Sequence, residues 1–223
     1  MTIISFKHKF IFMSNPRCGS TSIREFFEKN KLCDISVINE AESLLFYGVI
    51  IEPHINASNL SKFIKSIGYN INDFKIFTTV RNPYDLHVSL YNYSKCDSSG
   101  RPFWLSSYSG YDPTFNINEF IKLNSLWPYR LFTYVDNKCI VNNVYKIEEF
   151  TEEIICNILQ SIDPSIEYNN LPYRYKKSNE SYGNTNHREL FNNETYALLN
   201  KIYSNDFEQF GYTMIHNDQI TST

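Results

Sequence analysis

At 223 residues with 42% hydrophobic content, the chain can bury one substantial core, so a single domain spanning 1–223 is expected. A net charge of −3 and a pI near 6.0 argue against a general nucleic-acid-binding face, although local basic residues can still line a pocket. No run approaches the ~18 apolar residues of a membrane span, and Cys18, Cys33, Cys96, Cys139 and Cys156 show neither a CxxC pair nor zinc-like clustering, so reduced thiols and no metal site are expected.

In chain order, the apolar run Phe10-Ile11-Phe12-Met13 reads as a strand near 9 to 14, and Ile23 to Phe27 opens a helix near 20 to 30. Between them lies Asn15-Pro16-Arg17-Cys18-Gly19-Ser20-Thr21-Ser22, which has the layout of an anion site. Gly19 lets the backbone approach an anion closely, and the hydroxyls of Ser20, Thr21 and Ser22 add donors. The helix N-terminus contributes partial positive charge and Arg17 a full one. A second strand near 47 to 52 ends at Glu52-Pro53-His54, ahead of a helix near 57 to 67. The third strand, 74 to 80 (FKIFTTV), runs into Arg81-Asn82-Pro83-Tyr84-Asp85, where Pro83 suits the start of a helix near 84 to 94. Ser89 lies one to two turns along that helix, so a guanidinium from Arg81 and a hydroxyl from Ser89 suit a second phosphate. Residues 95 to 116 are polar and Gly/Ser-rich and read as a long loop, a kind often functional. Helices near 117 to 125, 150 to 161 and 192 to 209, with a strand near 140 to 147, complete the chain. The recurring order of strand, loop and helix predicts an α/β domain with a mostly parallel sheet. Two phosphate sites at the carboxyl ends of strands suggest one ligand carrying two phosphate groups.

These residues resemble a known family, the sulfotransferases that use 3'-phosphoadenosine 5'-phosphosulfate (PAPS). PRCGSTS resembles their 5'-phosphosulfate loop, RNPYDLHVS their 3'-phosphate motif, and Tyr203-Ser204-Asn205-Asp206-Phe207-Glu208-Gln209-Phe210-Gly211-Tyr212 the closing helix of the carbohydrate sulfotransferase branch. The likeness runs from about residue 9 to residue 212. Arg17 departs from it, since the family more often has Lys there, and a planar fork is not equivalent to a compact ammonium. The resemblance implies a P-loop NTPase-like three-layer domain with a central, mostly parallel sheet flanked by helices. It also implies PAPS as cofactor, PAP as product, and a hydroxyl-bearing acceptor, a glycan in this branch. Animal members of the branch are anchored in the Golgi. A chain read as soluble and cytoplasmic, rich in Asn, Ile, Lys and Tyr, therefore points to a bacterial or viral setting, or to an excised domain.

In the mechanism this implies, Cys18 and Gly19 offer backbone amides and Ser20, Thr21 and Ser22 donors to the 5'-phosphate, while Arg17 stabilises the charge that develops as PAP leaves. Arg81 and Ser89 hold the 3'-phosphate, which would separate PAPS from ATP. Lys176, Lys177 and Ser178, in LPYRYKKSN, resemble a segment that closes over the nucleotide, a solvated basic loop being the other reading. An acceptor oxygen attacking sulfur must lose its proton, so a base is required beside it. Related carbohydrate sulfotransferases place a His or Glu near this point, which makes His54 the first candidate and Glu52 the second. Trp104, Trp127 and the Tyr-rich stretch from 108 to 134 either stack on sugar rings or fill the core.

Other readings remain open at this level. Each motif alone is also satisfied by an ordinary strand-turn-helix connection or helix start. Cys18 to Arg24 has the Cys-x5-Arg spacing of cysteine phosphatases, although Glu25 stands where those enzymes carry Ser or Thr. A P-loop kinase or NTPase lacks support because the GK[ST] ending is missing. A non-catalytic nucleotide-binding protein on the same fold is the alternative outside catalysis.

Overall fold

The computed structural model describes residues 2–36, 44–46, 49–51, 54–95, 115–123, 127–177 and 186–216. In chain order the elements begin with strands β1 (Ile3–Ser5) and β2 (Phe10–Met13), helix α1 (Ser20–Lys29), strands β3 (Ile35–Ser36), β4 (Leu44–Phe46) and β5 (Val49–Ile51), and helix α2 (Ala57–Ser66). Strand β6 (Lys75–Val80) and helices α3 (Pro83–Lys95), α4 (Ile117–Leu123) and α5 (Arg130–Thr133) come next. The chain continues through β7 (Tyr134–Val135), β8 (Lys138–Cys139), β9 (Asn143–Lys146), α6 (Glu152–Ile162), α7 (His187–Leu190), α8 (Asn193–Ile202) and α9 (Ser204–Phe210). They gather into two compact units, Met1–Val80 with Tyr129–Asn179, and Arg81–Pro128 with Glu180–Thr223.

The first unit is mixed α/β around a five-stranded sheet of order β3-β1-β2-β6-β9. The three strands β2, β6 and β9 run parallel, in the registers Phe12↔Phe77 and Phe77↔Asn143, and β1 adds an antiparallel edge that continues to β3. Side-chain alternation splits the apolar residues between the two faces. Ile3, Phe10, Phe12 and Phe77 meet Ile23, Phe26 and Phe27 of α1 and Ile155, Ile158 and Leu159 of α6. On the opposite face the row Ile4, Ile11 and Ile76 is equally buried. Burial on both faces explains why FIFM and KIFTTV read as continuous apolar runs rather than as alternating ones. Each fully buried Phe in this layer contributes about 1.5–3 kcal/mol relative to exposure.

The sheet is thus mixed, with a parallel centre, and differs from the sequence reading at its edge. Ile3–Ser5 forms a strand of its own, which the expected strands do not include. The expected strand near 47 to 52 appears as β5, which pairs antiparallel with β4 in a separate two-stranded ladder.

The second unit is helical among its described residues. Its core joins Tyr84 and Val88 of α3, Ile117, Phe120 and Ile121 of α4, Tyr196 and Leu199 of α8, and Phe207 of α9. Tyr84 is the hub. Its ring meets those of His187, Tyr196 and Phe207 at 5.0, 5.2 and 4.9 Å, its hydroxyl donates to Asn200 Oδ1, and the Ile215 amide donates to that hydroxyl at 2.9 Å. The helix expected over 192 to 209 is broken at Tyr203 into α8 and α9. Gly211 then closes α9 in left-handed backbone (φ 64°), with Tyr212 N–H donating to Phe207 O, a common way of ending a helix.

Candidate functional site

The candidate site in the first unit is the connection from β2 to α1. Both Arg17 (φ 56°) and Gly19 (φ 75°) adopt left-handed backbone, and the residue between them is Cys18. Left-handed residues in a tight connection turn successive N–H groups toward one side, the arrangement that cups an anion. Gly19 meets this need without strain, whereas Arg17 bears a cost that must be offset elsewhere. Gly19 is also the residue preceding α1, and no side chain caps that helix end. The α1 N-terminus therefore presents amides and partial positive charge without a built-in carboxylate or hydroxyl cap.

What fastens the loop is β6. Asn15 is fully buried, and its Nδ2 donates to Thr78 Oγ1 at 3.0 Å and to Thr79 O at 2.7 Å. Thr78 Oγ1 donates to Met13 O (2.6 Å), which fixes it as the acceptor of the Asn15 bond and settles which way the Asn15 amide points. Among the described residues, Asn15 Oδ1 is buried without a partner, at a cost of about 1–3 kcal/mol. Thr79 Oγ1 donates to Cys18 O at 2.7 Å, tying the middle of the loop to the same strand. Sequence reasoning read the two threonines only as strand residues. Their signal was two adjacent hydroxyls at the carboxyl end of an otherwise apolar parallel strand.

Cys18 is wholly buried, and its Sγ lies 3.2 Å from both Pro16 O and Tyr129 Oη. Arg24, the other half of the Cys-x5-Arg spacing, pairs with Glu28 one turn further along α1. Both residues therefore have structural partners. Ser20 and Ser22 are buried, and Arg17, Gly19 and Thr21 are partly exposed.

His54 belongs to the same unit and stands before α2, whose first turn is capped by Asn56 Oδ1 accepting from Asn59 N at 2.9 Å. Its Nδ1 lies 3.0 Å from Ser14 O and 3.1 Å from Ser14 Oγ. Ser14 immediately precedes the loop, so one residue joins loop and imidazole. Burial pushes the His54 pKa down to about 3, with the Arg17 charge acting in the same direction and the bond to the Ser14 backbone opposing both. The ring is neutral at physiological pH. Ser14 and Asn15 were not singled out from the sequence as holding residues.

In the second unit, Arg81 is partly buried and Ser89 is buried on α3. The neighbouring motif residues have structural tasks. Asn82 Oδ1 accepts from Tyr84 N at 2.9 Å, Pro83 is the first residue of α3, and Tyr84 is the core hub. Lys176 and Lys177 are exposed in the irregular stretch flanking Tyr175. Glu52 and Ser178 lie outside the described residues, as do Trp104 and Cys96. Of the aromatic acceptor candidates that are described, Tyr129 is buried and Trp127 partly so.

Among the described residues, no group of three His, Cys, Asp or Glu side chains is placed to hold a metal ion, and no helix is long and apolar enough to cross a membrane. No protein-family profile, curated protein or solved structure matches the chain.

Proposed function

We propose that the chain is a sulfotransferase that moves the sulfuryl group of PAPS to a hydroxyl acceptor, a carbohydrate in the closest reading, on a P-loop-like three-layer fold. The observation that carries this is the β2–α1 loop: left-handed Arg17 and Gly19, an uncapped helix N-terminus, and a neutral histidine joined to the loop through Ser14. The donor chemistry suits an oxyanion. Backbone amides, the hydroxyls of Ser20 and Thr21 and the Arg17 guanidinium all donate, and a phosphate needs only acceptors satisfied.

PAPS supplies the sulfuryl group and departs as PAP. The amides of Cys18 and Gly19, with Ser20, Thr21 and Ser22, would hold the 5'-phosphate end. Arg17 would stabilise the negative charge that grows on the leaving oxygen. His54 would take the acceptor's hydroxyl proton as the new O–S bond forms, while the S–O bond to PAP breaks and its electron pair leaves with the phosphate. Burial keeps the ring unprotonated at physiological pH. A pKa of about 3, well below the operating pH, makes it a weak base, so the charge developing in the transition state would have to raise it. The assignment of the 3'-phosphate to Arg81 and Ser89 stands on the sequence resemblance, as does that of the nucleotide cover to Lys177 and Ser178. Glu52 remains the second candidate for the base.

The cysteine phosphatase reading is disfavoured by the full burial of Cys18 and by the pairing of Arg24 with Glu28, since that chemistry needs an accessible thiolate and a free guanidinium fork.

The experiment is a melting series followed by transfer. PAP should raise the melting temperature at micromolar concentration and ATP and AMP much less, because neither carries a 3'-phosphate. Arg81→Ala should weaken PAP binding by about 1.5–3 kcal/mol. Radiolabelled PAPS with a panel of glycans, phenols and peptides then identifies the acceptor. His54→Ala should keep PAP binding and lose about 100-fold or more in turnover. Equal stabilisation by ATP would remove the two-phosphate reading, and PAP binding without transfer to any acceptor would favour a non-catalytic nucleotide-binding protein.

A further inference from the structure

A histidine serves as a base only through a nitrogen that carries a lone pair, and which nitrogen that is depends on what the other one touches. In His54 the question is decided at Nδ1. A backbone carbonyl has no hydrogen to give, so the 3.0 Å approach of Nδ1 to Ser14 O is a bond only if Nδ1 carries the proton. The Ser14 hydroxyl, 3.1 Å from the same nitrogen, then shares that proton as a second acceptor. Ser14 is itself held firmly. It is buried, and its amide donates to Thr2 Oγ1 at 3.4 Å. The next residue, Asn15, is bonded twice to β6. The ring is therefore referenced to the same short segment that begins the anion loop.

We propose that Ser14 is a positioning residue, which fixes His54 as the Nδ1–H tautomer and leaves the Nε2 lone pair as the accepting atom. The catalytic meaning of this hold rests on reading His54 as the base, whereas the hold itself does not. It gives Ser14 a role distinct from the anion-binding residues beside it: it contributes nothing to phosphate affinity and decides which ring atom can take a proton. Nδ1 tied to a carbonyl is the arrangement that orients basic and metal-binding histidines generally.

The test reads the tautomer directly. Protein labelled with 15N-histidine, without cofactor or acceptor, is examined by long-range 1H–15N correlation, and the signal of His54 among the five histidines is assigned by its loss in His54→Gln. The expected pattern is a protonated, pyrrole-type Nδ1 and a pyridine-type Nε2. An Nε2–H pattern, or an average of both tautomers, would overturn the proposal. Ser14→Ala keeps the carbonyl and removes only the second acceptor, so the Nδ1–H pattern and the PAP-induced melting shift should stay as in wild type while kcat falls by about two- to tenfold. A variant spectrum that changes to the Nε2–H pattern would place the hold on the hydroxyl and overturn the carbonyl's role. If Ser14→Ala does not fold, the wild-type spectrum alone still decides. The proposed function fails separately: the expected tautomer without PAPS-dependent transfer keeps Ser14's hold on the ring and removes the sulfotransferase, whereas transfer by a protein with the Nε2–H form removes only the positioning role.

Discussion

Gly19→Ala probes the loop at its most constrained point. The glycine sits at φ 75°, ψ 16°, and an added Cβ would stand 2.3 Å from Ile147 Cδ1 and 2.8 Å from Ile147 Cγ1. Ile147 belongs to the core beside Phe150 and Ile155, so it has little room to withdraw. Two costs combine. A side chain in left-handed backbone costs about 1–2 kcal/mol, and forced overpacking costs about 1–3 kcal/mol. Reduced freedom of the unfolded chain returns about 0.4–1 kcal/mol, so the net loss should be about 1–4 kcal/mol. Ile147→Val removes Cδ1, the nearer atom, at about 0.5–1.5 kcal/mol by itself. In that background Gly19→Ala should cost about 1 kcal/mol less, because the steric part falls while the backbone part stays. Urea unfolding followed by circular dichroism, on wild type, both single variants and the double variant, measures the cycle. Costs that add to within about 0.5 kcal/mol, or a Gly19→Ala midpoint equal to wild type, would refute the argument. The same four proteins report on function, since Gly19→Ala should lose the PAP-induced melting shift and Ile147→Val should keep it.

Burial holds both His87 and His54 near a pKa of about 3, below the ordinary 6.5. From pH 6.5 down to 3 the unfolded chain binds protons that the folded chain does not, so stability present above 6.5 is lost as pH falls, by up to about 1.4 kcal/mol per pH unit for each ring. Urea midpoints should drop steadily from pH 7.5 to 4.5, His87→Gln should flatten the slope, and a level profile would contradict the burial argument. Cys18→Ser keeps both bonds of the thiol, to Pro16 O and to Tyr129 Oη, so stability, PAP binding and sulfuryl transfer should stay near wild type. Aryl phosphatase activity present in wild type and absent from Cys18→Ser would overturn the sulfotransferase in favour of thiol chemistry.

Much of the fold was legible because its elements carry strong local signals. FIFM and FKIFTTV are apolar runs of strand length, and α2 and α6 present amphipathic patterns with polar boundaries, so their expected limits lie within two residues of those observed. The missed pieces are short and depend on partners. β1 has three residues and is a strand because β2 lies beside it, and β7 and β8 have two residues each, paired only with one another. The break at Tyr203 was invisible for a similar reason. A buried tyrosine fits a helical stripe equally well whether the helix continues or restarts, and only the packing of α9 distinguishes them.

The site divides along the same line. Residue types suggest what can be bound, so the proposal of an anion loop at Gly19, the hydroxyl run and Arg17 starts from their order in the sequence. What holds those residues in place is non-local and carries no such signature. Thr78 and Thr79 are bonded to residues sixty or more positions earlier, and Ser14 reaches forward by forty to His54. These straps converge on Ser14 to Cys18, the segment that carries the left-handed Arg17 just before α1. A left-handed Arg17 survives only if its neighbours over-determine the conformation, and the bonds of Asn15, Thr79 and Cys18 do that. If His54 is the base, its tie to Ser14 makes the loop's rigidity the base's rigidity as well. Loosening the straps, for example by Thr79→Val, should then lower turnover and anion affinity together, whereas changing His54 lowers turnover alone.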